Sequence, residues 1–173
     1  REELAVPKTF RDYNRVASFF TRGCNAASPT QYSSTVAIGN VVVSPSEFMP
    51  RLFAENGRLL DSQGRITLDT PEALRALENY RETYSYSDRT IYDFWKNALE
   101  GFADGTAAMT VVFINYASHI LNSQMSRIAG KLGFAPVPGG KPLLGGGVIG
   151  ITQSCTCPAA ACKFLEWLYA DLV

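Results

Sequence analysis

The sequence predicts an α/β fold with a central sheet, on three observations. Short β-branched, apolar runs such as Thr35–Val43 and Ala107–Phe113 alternate with segments of helical periodicity. Two of those segments open on clean helix-start signals, Ser44-Pro45-Ser46-Glu47 and Asp69-Thr70-Pro71-Glu72. At 173 residues the chain is long enough for one full core and too short for two generous domains.

In chain order, Thr9 can cap a first helix whose apolar residues Phe10, Tyr13, Ala17 and Phe20 share one face. Gly23 and the polar run Asn25–Ser34 end it, and Thr35–Val43 reads as a buried strand interrupted at Gly39-Asn40. Ser44 then serves as N-cap, with Pro45 first in the helix and Glu47 placed for a capping box. That helix carries Phe48, Met49, Leu52 and Phe53 inward and stops at Asn56-Gly57.

Leu59–Thr67 predicts two short strands around a polar turn, with Gly64 where positive φ is needed. The next helix presents Leu74, Leu77 and Tyr80 on one face and ends near Tyr84. Tyr92–Ala103 is a further helix closed by Asp104-Gly105. Ala107–Phe113 is a strand, and Asn115–Ser123 a helix leaving its end. Leu132–Val137 and Val148–Thr152 read as strands on either side of the turn Pro138–Pro142. Pro158 opens a final helix with Ala161, Phe164, Leu165 and Leu168 facing a core.

The totals exclude several roles. Lys plus Arg and Asp plus Glu balance at 16 each, and no basic stripe interleaves with aromatics, which argues against nucleic acid as a partner. No apolar run reaches the roughly 18 residues of a membrane span. The opening Arg1-Glu2-Glu3-Leu4 is neither signal peptide nor lipidation site, and the chain stops at Leu172-Val173 straight after a helix-like segment, so both ends read as cut. Four cysteines, Cys24, Cys155, Cys157 and Cys162, are too few for a disulfide scaffold. Cys-x-Cys-x4-Cys lacks the spacing and fourth ligand of structural zinc, and the one histidine, His119, stands far away. Free thiols or a disulfide both fit; no metal or cofactor is expected.

A catalytic set is missing too. There is no GxSxG elbow, no Walker A sequence and no HExxH, and Gly145-Gly146-Gly147 lacks the lysine and helix of a phosphate loop. What the sequence offers are aromatic and amide groups near element ends. Sugars bind by stacking C–H faces on rings and hydrogen-bonding hydroxyls to planar amides. Phe113, Asn115 and Tyr116 follow the Ala107–Val112 run, where open α/β sheets gather ligand groups. A hydrophobic strand end with a helix cap explains the same residues, and both readings stand.

Several blocks resemble one family. Phe102-Ala103-Asp104-Gly105-Thr106-Ala107-Ala108-Met109-Thr110 looks like the F-x-x-G-K-A-A-M signature of family 1 extracellular solute-binding proteins, the maltose-binding-protein-like subunits of ABC sugar importers. Pro7-Lys8-Thr9-Phe10 is similar to their P-K-T-W-x-E helix start. Gly57–Ala73 resembles the run G-G-x-L-x-D-x-x-G-x-V-T-L-N-S-P-E-A. Phe134–Gly140, Gly145–Gly147 and Phe164–Leu168 match the tail in the same order. Together the blocks span nearly the whole chain.

The resemblance implies a type II periplasmic-binding-protein-like lobe, a central mixed sheet flanked by helices, in a protein about twice this length. Residues 1–144 would be most of the second, C-terminal lobe, 145–152 a hinge-crossing strand, and 153–173 a first-lobe helix. The full protein would be extracellular or periplasmic and lipid-anchored. It would close on a solute, most often a mono- or oligosaccharide, and deliver it to ABC permease subunits. The final helix would then expose an apolar face, through which the isolated fragment would dimerise.

Site residues carry over one by one. Trp95, seven residues before Phe102, falls where relatives have a cleft aromatic, although a core role fits equally. Asn115 occupies the family's tryptophan position with Tyr116 next, and Phe113 replaces its glycine. Ser46 and Glu47 sit at a helix start where relatives contact ligand, with capping as the alternative for Glu47. Gly145, Gly146 and Gly147 match a backbone segment at the cleft floor, Gly147 standing where many members have tryptophan. The cysteines depart from the family's polar stretch. The alternative to a non-catalytic binder is a small hydrolase or transferase using Glu47 or Asp93 with His119.

Overall fold

The structure is a computed structural model and describes residues 4–38, 43–89 and 95–170. It divides into two compact units, one ending at Leu143 and one running from Leu144. The first contains helices α1 (Phe10–Phe19), α2 (Val43–Ala54), α3 (Pro71–Ser85), α4 (Trp95–Ala103) and α5 (Ala117–Leu121), with strands β1 (Tyr32–Thr35) and β2 (Ala107–Thr110). The second contains α6 (Pro158–Tyr169).

Helix starts form much as the sequence dictates. The Thr9 hydroxyl accepts from the Asp12 N–H (3.1 Å) to open α1, and Thr70 does the same for Ala73 (3.3 Å) with Pro71 first in α3. Phe10, Tyr13 and Ala17 are buried, as their spacing requires. At the end of α2 the backbone of Asn56 turns left-handed (φ 64°) and Gly57 N–H donates to the Leu52 carbonyl at 2.9 Å. The Leu59–Thr67 segment closes as an antiparallel bridge, Leu60 to Ile66, around Gly64 with φ 77°.

The sheet differs from expectation in place and extent. β1 lies at Tyr32–Thr35, three residues before the apolar run, and pairs in parallel with β2 as Tyr32↔Ala107, Ser34↔Met109 and Thr35↔Thr110. A polar strand can be buried here because its amides and the Ser34 and Thr35 hydroxyls find partners, the Ser33 hydroxyl alone being left without one. The Ser34 and Tyr13 hydroxyls share a 2.7 Å hydrogen bond, and the Ser33 N–H donates to the Tyr86 carbonyl. Residues 39–42, which hold the Gly39-Asn40 interruption, and 90–94, which hold the expected start of α4, lie outside the described residues.

Four further expectations are corrected. Leu132–Val137 and Val148–Thr152 form no strand: the first carries Pro136, which cannot donate to a ladder, and the second is largely exposed without a paired neighbour. Helix α2 already includes Ser44 and Pro45, so the expected cap lies inside it. The face that α3 buries is Ala73, Ala76, Tyr80 and Thr83, whereas Leu74 and Leu77 are more than half exposed. The small alanines allow α3 to approach α2 closely, and Leu52 fills the contact with Phe48, Phe53 and Leu59. No residue of α6 is buried, so its apolar side chains face no core among the described residues.

Candidate functional site

Because β1 and β2 are parallel, their carboxyl ends share one edge, where the Thr35 hydroxyl donates to the Thr110 hydroxyl at 2.7 Å. Such an edge is where an α/β sheet collects ligand groups, since each chain leaves it through a loop toward a helix. After β1, Val36 and Ala37 run buried, and Ala37 packs with Val43 of α2 and Ala98 of α4. Trp95, at the start of α4, lies half-buried against that cluster. Its ring meets Phe113, which follows β2, edge to face at 5.3 Å between centroids and 80° between planes.

The fold therefore brings Trp95 and Phe113 together from positions eighteen residues apart in the chain. Asn115, two residues after Phe113, lies in a single 3-10 turn, Ile114–Tyr116, and is exposed to solvent. Tyr116 is half-buried and packs against the cluster of Leu99, Ala103 and Ile120, so part of its ring is committed to the core. Ser46 is half-exposed in the first turns of α2.

Glu47 is placed differently from the other candidates. Expected among the ligand contacts or as a cap, it is 6% exposed and turned into the interior. One carboxylate oxygen accepts from the Ala37 N–H at 3.3 Å, and the other lies 3.4 Å from the Arg51 guanidinium. The guanidinium also donates to the Glu47 carbonyl. It lies over the rings of Phe10 (4.6 Å) and Tyr80 (5.0 Å). Burial pushes the Glu47 carboxyl above the ordinary carboxylate range, with Arg51 and the Ala37 N–H pulling it back. Burial likewise lifts the Tyr13 hydroxyl to about 12, against the hydrogen bond it shares with Ser34. Helix α2 begins early enough that Glu47 sits in its second turn, facing α1 and α3, and its role is to tie the end of β1 to the core.

Sequence reasoning missed Arg51 altogether. The signal was present in the i,i+4 spacing of Glu47 and Arg51 on one helix face, between a carboxylate and a guanidinium.

His119 is half-exposed on α5, and Asp93 lies outside the described residues. With the Glu47 carboxylate spent on Arg51 and Ala37, the acid-base pair expected of a hydrolase or transferase is not assembled from it. Gly145, Gly146 and Gly147 are exposed and irregular, in the unit that begins at Leu144. Two shallow depressions on the first unit lie elsewhere. One of about 410 Å³ is lined by Phe53, Asn56, Gly57, Arg58 and Lys141, and one of about 580 Å³ by Phe48 of α2, residues 68–70 and the start of α3. Neither contains the ring pair, and neither brings an amide and an aromatic stacking face to a strand end. Among the described residues no three metal-binding side chains gather, and no helix is long and apolar enough to cross a membrane.

Comparison with known proteins gives a consistent result. Residues 2–171 match the family model described as bacterial extracellular solute-binding protein. A crystal structure of an ABC transporter solute-binding protein from Agrobacterium radiobacter K84, in complex with ribitol, superposes with a TM-score of 0.76 at 23% identity. That alignment covers 95% of this chain and 42% of the other. Maltose-bound MalE3 of T. maritima aligns with a TM-score of 0.64 at 22% identity, over 80% of this chain and 36% of the other. This chain thus spans less than half the length of either structure. No curated protein matches it.

Proposed function

This chain belongs to the bacterial extracellular solute-binding protein family, a family of binders rather than enzymes, and on that premise we propose that it contributes one lobe of a clamp for a sugar or polyol. The observation that carries the reading is the Trp95–Phe113 ring pair that follows the carboxyl edge of β1 and β2, with the solvent-exposed Asn115 two residues further along the chain. Rings give C–H faces something to stack on, and an amide both donates to and accepts from hydroxyls. Nothing in this arrangement breaks a bond. The ligands of the two structural relatives, ribitol and maltose, are polyhydroxylated and support that class.

In this reading residues 1–144 form most of the second lobe, 145–152 cross the hinge and 153–173 return to the first lobe. Ser46, Phe113, Asn115, Tyr116 and Trp95 are the ligand contacts in the first unit, and Gly145, Gly146 and Gly147 offer backbone contacts of their own. Glu47 acts from behind, holding the end of β1 through Ala37. Closure is a hinge motion stabilised by ligand contacts that exist only in the closed form. The closed protein delivers its solute to the membrane subunits of an ABC importer, from the outer face of the membrane and held there by a lipid anchor.

The test is calorimetry on the full-length protein against a panel that includes ribitol, maltose and common monosaccharides. Trp95→Ala is expected to weaken binding about 10- to 100-fold, or about 1.4–2.8 kcal/mol, with Trp95→Phe recovering part of the loss. Heat with no saccharide or polyol would remove the ligand class. Unaltered affinity in Trp95→Ala would remove the site.

A further inference from the structure

Three of the four cysteines fall within eight residues, in the segment Cys155-Thr156-Cys157-Pro158-Ala159-Ala160-Ala161-Cys162. Cys157 and Cys162 are exposed, Cys155 is half-exposed, and all three are free thiols in this structure. The family works outside the cytoplasm, where exposed thiol pairs oxidise rather than persist. We infer that Cys155 and Cys157 are a redox-active dithiol that closes to a disulfide across Thr156, at the entrance to α6.

Backbone geometry favours this pair. One intervening residue sets the Cα separation at about 5–7 Å, because each trans peptide spans about 3.8 Å. A disulfide spans about 4.4–6.8 Å. The chain bends at Thr156, and both partners are held in place. Cys155 closes a turn by donating its N–H to the Thr152 carbonyl at 3.0 Å, and Cys157 is the N-cap of α6, its carbonyl accepting from Ala161 at 3.1 Å. Cys162 is a poorer partner for Cys157. Five residues of helix rise separate them, about 7.5 Å along the axis alone.

The ring is small, so closing it removes little chain entropy from the unfolded state. The bond is therefore a labile redox site rather than a staple. In the forming step the exposed Cys157 thiolate attacks a sulfur of a low-molecular-weight disulfide and releases one thiol. Cys155 then attacks the Cys157 sulfur of the mixed disulfide and releases the second. Two electrons and two protons leave the dithiol, and the small disulfide is reduced to two thiols. The inference rests on family membership and local geometry, and is independent of which solute is bound.

The experiment incubates the reduced chain with oxidised glutathione, blocks remaining thiols with iodoacetamide and maps the cysteines by mass spectrometry. The wild type and Cys162→Ser are expected to carry an internal Cys155–Cys157 link, lost on adding dithiothreitol. Cys155→Ser and Cys157→Ser are expected to stop at the mixed disulfide with glutathione on the remaining partner. Alkylation of both Cys155 and Cys157 in the treated wild type would overturn the inference. So would a link from either to Cys24 or Cys162, or a disulfide-joined dimer on a non-reducing gel.

Discussion

Replacing Arg51 with methionine tests the buried centre that holds the candidate edge in place. Arg51 and Glu47 are 2% and 6% exposed and 3.4 Å apart. At that separation the gross attraction is about 5 kcal/mol for an effective dielectric of about 20. The net cost of removing one member of a buried pair is about 3–5 kcal/mol, since the other is left without compensation. Methionine keeps most of the volume between Phe10 and Tyr80 but removes the charge. For a chain of this size the loss corresponds to roughly 6–20 °C in Tm.

The pH dependence sharpens the test. Burial holds the Glu47 carboxyl above its unfolded value, so the folded state takes up a proton first as pH falls. Its contribution to stability is full below the unfolded value and is lost as pH rises through the raised folded one. Arg51 limits that loss, so the gap between wild type and Arg51→Met is expected to widen from pH 5 to pH 7. Urea unfolding followed by tryptophan fluorescence at both pH values measures it. Adding Glu47→Gln to Arg51→Met is expected to restore most of the stability. A variant as stable as wild type at pH 7, or a deficit equal at both pH values, would refute the reasoning.

Two further outcomes are expected. Asn14 is 1% exposed and bonds the Asn79 carbonyl (3.1 Å), Glu82 (3.0 Å) and the Thr83 hydroxyl (2.6 Å), joining α1 to α3. Asn14→Ala should cost about 1–3 kcal/mol, read as a lower urea midpoint with an unchanged slope. Gly139 has φ 84°, donates to the Lys8 carbonyl at 2.8 Å, and would press an added methyl onto Ala54. Gly139→Ala should therefore cost about 2–4 kcal/mol from left-handed strain and overpacking, whereas Gly64→Ala, in open space, should show the strain alone in the same thermal melt.

Much of the local structure was legible in the residues because its causes are local. Thr9, Thr70 and Pro71 start helices through hydrogen bonds and a fixed φ that act within one turn. Gly64, Gly139 and the Asn56-Gly57 pair mark reversals for the same reason. The family resemblance was legible too, since its motifs are runs of neighbours. The candidate aromatics could be named singly, but the contact between Trp95 and Phe113 depends on how α4 and β2 pack, which no spacing encodes.

By itself the sequence determined the α/β class, the helix starts, the turns and the absence of a charge field that would draw nucleic acid. Packing between distant elements was needed to place Ser33 and Ser34 in the strand, to leave Leu74 and Leu77 outside, and to turn Glu47 inward to Arg51. The Ser34 hydroxyl can be buried where Tyr13 meets it, the strand's amides where the Tyr86 carbonyl accepts from them, and a carboxylate where a guanidinium meets it. Tyr13 and Tyr86 come from distant parts of the chain, as do the Phe10 and Tyr80 rings that enclose Arg51, so polarity at one position could not announce which side of the fold it would face.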